Sequence, residues 1–377
     1  MKHFTTCVVG SGPASIALIG KLLDKNIRNI CWIDPNWNGG RLSKYYQVPS
    51  NTKVKLFTEF GKVCSSFANV KSETRDKMEK FNPDAGCFLQ YPCEMVVEYC
   101  DQLIEQFNIH KYVGCVTTIN KNGVFELELT KDKVDLDSFK PFENCTVNDK
   151  FTCDTVYLTT GSKPVETPHR GAHLHNPNVK IVPLDIGLTP SLLKDVVNKD
   201  SKVAVIGNSH SAILVLRNLN DIGCQTTCFF RRPLKFAEYM DGWIKFDNTG
   251  LKGEAAEWAK NDLPSASNVK MTLLLNEEKQ YAQQMPNFDV IIYSVGYAPR
   301  TLPTIKVNGK AVQVKHDPFT GQIYYTATDR VNIENMFGFG VAFPEQVTDK
   351  AGNVEMSVGM WKFMNYMKKV FPEAAQQ

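Results

Sequence analysis

Phe4-Thr5-Thr6-Cys7-Val8-Val9-Gly10-Ser11-Gly12-Pro13-Ala14-Ser15, then Ile16 to Leu23, then Ile30-Cys31-Trp32-Ile33-Asp34, is the stretch that decides the fold. Thr6 to Val9 has the pattern of a short buried strand. Gly10 and Gly12 permit a tight turn and let backbone approach a ligand, and Ser15 is small enough for a helix to pack on the strand. Ile16, Ile19, Leu22 and Leu23 recur at helical spacing. A second strand ends on Asp34, near the expected distance of about 20 residues past the turn. This order sets a pyrophosphate on a helix N-terminus and a ribose on an acid, so it predicts a dinucleotide cradle.

The unit recurs. Lys202 to Ile206 reads as a strand and Gly207-Asn208-Ser209-His210-Ser211-Ala212 as the turn. Ile213 to Leu219 reads as the helix, and Gln225 to Phe230 as a strand ending in Arg231-Arg232. Two nucleotide folds in one chain predict electron transfer between two cofactors. Flavin and nicotinamide are the usual pair, because hydride passes directly between aligned rings. A duplicated fold with one idle site is the alternative.

Between and beyond these units the pattern is coarser. Pro35 opens a turn-rich loop through Gly39-Gly40-Arg41-Leu42, and Tyr45 to Phe60 reads as extended. Met95, Val96, Tyr99, Leu103 and Phe107 predict a helix over Pro92 to Phe107. Val113 to Ile119, Val124 to Leu129, Phe151 to Leu158 and Phe288 to Val295 predict strands, with Lys131 to Lys150 a loop insertion. Residues 162 to 200 carry Pro164, Pro168, Pro177, Pro183 and Pro190 and read as the crossing between domains, with a short helix in Leu184 to Val197. Asn308-Gly309 marks a hairpin. Met336 to Val341 reads as a strand, Val354 to Val370 as a closing helix, and residues 235 to 285 give no clear pattern.

Bulk properties narrow the function. The 377 residues allow two or three domains, and 43% hydrophobic with 22% charged residues is a globular composition. A net charge of +3 excludes nucleic acid or a membrane surface as an expected partner. Apolar runs break well short of the roughly 18 residues a membrane span requires. The N-terminal run belongs to the nucleotide unit and not to a signal peptide. Eleven cysteines without a Cys-x-x-Cys pair suggest neither a disulfide framework nor a dithiol centre, and they favour a reducing cytoplasmic setting.

Gly10-x-Gly12-Pro13-Ala14-Ser15, the Gly39-Gly40-Arg41-Leu42 turn, Tyr45 to Phe60, Thr160-Gly161, the turn at Gly207 and Gly296-Tyr297 together resemble the flavin-containing monooxygenases and the related N-hydroxylating monooxygenases. The resemblance runs through most of the chain and implies FAD, NADP, O2 and a small-molecule substrate. In Tyr46-Gln47-Val48-Pro49-Ser50-Asn51-Thr52, Asn51 matches the asparagine whose amide helps position NADP and the oxygenated flavin; an amide offers donor and acceptor without charge. Val116 matches the residue whose backbone meets the adenine.

Three departures stand out. Ser209 and Ala212 replace glycines in the second turn, where Arg231 and Arg232 offer bidentate contacts to a 2′-phosphate and His210 stands at the helix start. Pro168 to His175, with His169, His173 and His175, lacks the aromatic–glycine–histidine array of the monooxygenases and has no Cys or carboxylate neighbours for a metal. Phe337-Gly338-Phe339-Gly340-Val341-Ala342 lacks the acid that contacts the ribityl chain, which leaves backbone amides and the dipole of the helix near Ser357 to Trp361.

The expectation is an α/β protein of two Rossmann-like dinucleotide-binding domains. Residues 1–165 and 301–377 form the FAD domain, with the NAD(P) domain, 166–300, inserted. Gly10, Gly12, Pro13, Ala14, Ser15, Asp34, Pro35, Gly40, Arg41, Leu42, Val116, Thr160 and Gly161 are expected at FAD. Gly207, Ser209, His210, Ser211, Arg231, Arg232, Gly296 and Tyr297 are expected at NADP, and Asn51 at the chemistry. The expected activity is NADPH-dependent oxygenation of a small nitrogen- or sulfur-containing substrate, without a metal, in a possible homo-oligomer. A flavin reductase without oxygenation and a non-catalytic flavoprotein-like regulator are the alternatives.

Overall fold

The computed structural model describes residues 1–137, 142, 145–166, 179–275 and 277–371. The chain begins with β1 (Lys2–Val9), α1 (Pro13–Asp24), β2 (Ile30–Asp34), α2 (Val54–Phe60), α3 (Gln90–Phe107), β3 (His110–Val113), β4 (Cys115–Asn122), β5 (Val124–Thr130) and β6 (Asp149–Leu158). After β7 (Ser162–Pro164) come β8 (Lys180–Ile181), β9 (Lys202–Ile206), α4 (His210–Ile222), β10 (Gln225–Phe230), α5 (Gly253–Asn261), β11 (Val269–Leu273) and β12 (Val290–Tyr293). It closes with β13 (Tyr297–Pro299), β14 (Thr304–Val307), β15 (Lys310–Ala311), β16 (Arg330–Gly338), β17 (Val354–Ser357) and α6 (Met360–Val370).

Two sheets organise these elements. In the first, β16, β6, β1, β2 and β3 lie parallel in that order, and β5 and β4 extend it antiparallel from β6. In the second, β11-β10-β9-β12-β8 are all parallel. The chain leaves the first sheet after β6 and rejoins it at β14, so the second sheet is an insertion. β7 and β13 pair antiparallel, Tyr297 opposite Pro164 and Pro299 opposite Ser162, and form a ribbon that carries the chain both ways.

Parallel strands covered by helices on both faces need apolar residues on both faces. Hence Val290-Ile291-Ile292-Tyr293 is buried throughout. α1 starts on Pro13 behind the Gly12 cap, which fits the fixed φ of proline at a first helical position. Residues Ala14 to Leu23 are all buried, because α1 lies between the sheet and α6, α3 and Phe67. At Gly20 an added Cβ would sit 2.5 Å from the Phe67 ring, so this glycine permits the close packing.

The sequence expectations miss in definite places. Tyr45 to Phe60 is not extended: a short 3-10 helix runs Gly40–Lys44 and α2 runs Val54–Phe60, burying Val54, Phe57 and Phe60. Val354 to Val370 is not one helix, since β17 ends at Ser357 and Gly359, at φ 142°, caps α6. Leu184 to Val197 holds two four-residue helices, Leu184–Gly187 and Pro190–Leu193. The unreadable 235–285 region supplies α5 and β11. The Asn308-Gly309 hairpin forms, with φ 50° and 77°. The stretch from Pro168 to His175 lies outside the described residues.

Candidate active site

The two turns repeat each other bond for bond. Gly10 N–H donates to Ile33 O and Gly207 N–H to Phe229 O, each at 2.8 Å. Thr159 N–H donates to Val9 O and Ser294 N–H to Ile206 O, again at 2.8 Å. Gly10 and Gly207 sit at φ 112° and 115°, and a Cβ there would lie 2.4 Å from Thr159 O and 2.2 Å from Ser294 O. Only glycine fits such a position. The next cap differs in side chain and not in backbone: Gly12 has φ −84° and ψ −173°, Ser209 −90° and −169°. Serine adopts that conformation without strain, so the replaced glycine leaves the turn intact.

Ser15, at the third glycine position, gains a structural role. Its hydroxyl donates to Thr159 Oγ1 at 2.7 Å, and Thr159 Oγ1 donates to Val9 O at 2.8 Å, tying α1 to β1 and to the end of β6. Ser15→Ala is expected to cost about 1 kcal/mol of stability, the net worth of one buried hydrogen bond. An unchanged urea midpoint would refute this.

Asp34 is partly exposed. Its Oδ2 accepts from Ser11 N–H at 2.9 Å, and its Oδ1 from the N–H groups of Asn36 and Trp37 at 2.7 and 3.0 Å. The carboxylate thus holds the turn and keeps lone pairs for a ribose. Ser11 Oγ and Thr160 Oγ1 are buried without partners among the described residues, and both residues line the cavity described next.

That cavity, of about 390 Å³, runs between the two units. Gly10, Ser11, Gly12, Pro13, Ala14, Asp34, Gly40, Arg41, Leu42, Thr160 and Gly161 form the wall nearest the first turn. Asn51, Tyr45 and Val48 come from the 45–52 segment, and Gly340, Val341, Gly359, Met360 and Phe363 from the return segment and the start of α6. His210, Ser211, Leu214 and Tyr297 come from the second unit. Gly340 lies at φ 90°, with its missing Cβ 2.8 Å from the Ala14 methyl, so glycine there lets the late strand approach α1. A second hollow, of about 340 Å³, lies past the end of β2, lined by Pro35, Asn36, Val113, Gly114, Cys115 and residues 131–134.

Several expected site residues stand elsewhere. Val116 is buried in β4, one residue beyond the wall of the second hollow. Gly207, Ser209 and Gly296 are not on the cavity wall. Arg231 and Arg232 are exposed at the end of β10, where Arg232 O accepts from Asn208 Nδ2 at 2.6 Å.

No motif or spacing signals the contacts that join the units. Tyr45 Oη and Tyr297 Oη are 3.0 Å apart, and Ser211 also hydrogen-bonds Tyr297. Burial pushes both phenols up, so both are protonated at neutral pH. Arg41 reaches Asp185 Oδ2 at 2.7 Å, Ser162 O at 2.8 Å and Asp137. Arg300 Nε reaches Asp137 Oδ1 at 2.9 Å, and Lys163 Nζ donates to Asp137 O at 2.8 Å. Away from this cluster, Lys362 Nζ bonds Asp247 Oδ2 at 2.7 Å, and Glu355 accepts from Asn248 N–H at 2.9 Å and from Thr249.

His210 opens α4. Its Nδ1 is buried without a partner among the described residues. Burial, and then the charge of Lys252, push its pKa down to about 4, so the ring is neutral at pH 7.

These residues fit two dinucleotides. The glycines leave the approach a pyrophosphate needs, the helices α1 and α4 begin at the turns, and unpartnered hydroxyls face the first cradle. The family model described as "Pyridine nucleotide-disulphide oxidoreductase" matches residues 4–351. "Monooxygenase AgnR1" of Paecilomyces divaricatus is 33% identical over 390 residues, covering 97% of this chain and 96% of that protein. Among solved structures, the ornithine hydroxylase PvdA of Pseudomonas aeruginosa aligns at TM-score 0.59 and 12% identity. The bacillithiol disulfide reductase Bdr of Staphylococcus aureus aligns at TM-score 0.55 and 14% identity. Each pairing covers 98% of both chains, and at these identities what is shared is the fold. The chain belongs to the pyridine nucleotide-disulphide oxidoreductase family and is an oxidoreductase built for FAD and a pyridine nucleotide.

Proposed function

We propose that the chain is an NADPH-using FAD monooxygenase that oxygenates a small nitrogen- or sulfur-containing molecule. One observation carries this reading: the first unit's turn and the second unit's His210, Ser211, Leu214 and Tyr297 line the same cavity. A flavin and a nicotinamide bound from the two units within one cavity could meet directly. When bound, the flavin takes hydride from the nicotinamide and activates O2 for transfer to a substrate.

The chain's own residues then have separable tasks. Gly10, Gly12 and the start of α1 receive the FAD pyrophosphate, Asp34 its ribose, and Pro35 with the 113–115 segment borders its adenine. Gly207, Ser209 and the start of α4 receive NADP, with Arg231 and Arg232 at its 2′-phosphate. The amide of Asn51, on the cavity wall, donates and accepts without charge beside the reacting centre.

A thiol–disulfide form of the reductase reading fits less well. No cysteine lies on the cavity wall, and ten of the eleven free thiols are buried elsewhere. A thiol–disulfide relay needs an accessible thiolate next to the flavin. Mixing the FAD-loaded protein with NADPH anaerobically, then admitting 18O2 with thioether and amine candidates, tests the proposal. Flavin bleaching followed by label in the product is the expected result. Bleached flavin that delivers its electrons to an acceptor, with no label in any product, would overturn it.

A further inference from the structure

We propose that Glu355 is a positioning residue for hydride transfer: by gripping residues 246–249 of the inserted unit, it fixes the second cradle relative to the first. The inference rests on a chain built for FAD and a pyridine nucleotide, and it does not require oxygenation.

Four consecutive residues of the inserted unit are bonded to the return segment. Phe246 N–H donates to the Asp349 carboxylate. Asp247 Oδ2 pairs with Lys362 Nζ at 2.7 Å. Asn248 N–H donates to Glu355 Oε2 at 2.9 Å, and Thr249 Oγ1 donates to Glu355 Oε1. Glu355 stands on β17 and is 6% exposed. Both of its oxygens are thus used on neighbouring donors of the other unit, as charge-assisted bonds with fixed geometry.

The gripped turn is strained. Phe246 has φ 58°, a conformation that a bulky side chain keeps only where its surroundings over-determine it. They do so from both units. Lys235 Nζ and Lys245 Nζ lie over the Phe246 ring, 4.1 and 4.8 Å from its centroid, while the N–H is bonded across to Asp349. The turn is also linked to two segments of the shared cavity. Lys362 lies in the first turn of α6, between Met360 and Phe363, which line it. On the other side Lys252 Nζ reaches Asp247 Oδ1 at 2.7 Å, and α5 then starts at Gly253, where a Cβ would lie 3.5 Å from Asn51 Cα. Hydride transfer depends steeply on how donor and acceptor are placed, whereas the turn that receives the nucleotide lies wholly within the second unit. Loss of the grip therefore separates rate from affinity.

Anaerobic stopped-flow reduction of the FAD-loaded protein by NADPH, and by NADPH deuterated at the transferred position, tests this. In Glu355→Ala the limiting rate of flavin reduction is expected to fall at least about tenfold, with the full deuterium effect retained and NADP affinity changed by less than about twofold. Glu355→Gln, which keeps one acceptor oxygen, is expected to recover part of the rate. Thr249→Val removes the donor at similar shape; it is expected to slow reduction too, and to add little on top of Glu355→Ala. Glu345→Ala is the matched control. Glu345 is as deeply buried on the opposing strand of the same hairpin, but it pairs with Lys369 of α6, within the FAD unit. This variant is expected to lower the urea midpoint and to keep the native rate constant. A Glu355→Ala protein reduced at the native rate, one that loses only amplitude, or an equal slowing in Glu345→Ala would each overturn the proposal. Should Glu355→Ala lose its flavin, Thr249→Val decides alone by the same criteria.

Discussion

Gly207→Ala will give a protein that keeps its flavin and is reduced by NADPH at least about 100-fold more slowly. The added methyl would lie 2.2 Å from Ser294 O and 2.9 Å from its carbonyl carbon. Those atoms cannot yield cheaply, because Ser294 N–H is bonded to Ile206 O and Gly207 N–H to Phe229 O, both at 2.8 Å, within the β9–β12 register. Alanine at φ 115° is strained on its own by about 1–3 kcal/mol. The turn must therefore move and take the start of α4 with it, and a misplacement of about 1 Å can cost about 100-fold in rate. The flavin is retained because the first cradle is a separate turn on a separate sheet. The matched change Gly10→Ala, whose methyl would lie 2.4 Å from Thr159 O, is expected to yield colourless protein. Stopped-flow reduction at 450 nm and flavin content decide the matter. A Gly207→Ala protein reduced at the native rate, or a yellow Gly10→Ala protein, would show that the turns do not carry the cofactors.

The pair of turns was legible because local chemistry alone determines it. Glycine at φ above 110°, a strand of β-branched residues before it and a helix pattern after it all lie within about 30 residues. The segment after Tyr45 was misread for an equally local reason. Pro49 and Ser50-Asn51-Thr52 signal a turn, and Val48 and Val54 favour strand, so the three-residue spacing of Val54, Phe57 and Phe60 carried too little weight. In the folded chain those three side chains reach the core under α1, and burial overrides propensity. Gly359 hid the break between β17 and α6, since a lone glycine within an apolar run reads as tolerated until its φ of 142° is known.

The contacts between units were invisible for a different reason. Asp137 sits in a charged stretch that reads as a solvated loop, yet it lies 96 residues from Arg41 and 163 from Arg300, its two guanidinium partners. No periodicity encodes such a meeting. The same holds for Tyr45 and Tyr297, 252 residues apart, and for Arg41 and Asp185, 144 apart. His210 was read as one residue of a turn. Its shielded, unpaired nitrogen is a property of packing and cannot be found in spacing.

Arg41→Ala is expected to lower stability at pH 7 by about 2–3 kcal/mol and to slow reduction of the flavin by NADPH. Arg41 is 11% exposed at its side chain and ties the first unit to Asp185, in the second, and to Asp137 and Ser162 at the crossing ribbon. Its loss leaves Asp185 without its guanidinium and Asp137 with Arg300 alone. A fully buried broken pair costs about 3–5 kcal/mol, and the figure falls here because a third of the Asp137 side chain meets solvent. Arg41→Lys is expected to recover little, since one ammonium cannot span three acceptors as the planar guanidinium does. The pH dependence supplies an independent check. Burial works to raise the Asp137 carboxyl, but Arg300 and Arg41 outweigh it and hold it below the usual carboxylate range. A group with a depressed folded pKa stabilises above its unfolded value, about 3.9, and that contribution is lost as pH falls through the folded value. The gap in urea midpoint between the native protein and Arg41→Ala should therefore be full at pH 6 to 7 and shrink below about pH 4. The Asp247–Lys362 and Glu355 contacts still join the units in the variant, so the slowed hydride transfer reflects a loosened orientation and not separated domains. Coincident midpoints at pH 7 together with native reduction kinetics would mean that the guanidinium only decorates the crossing, and that the two cradles are aligned by packing alone.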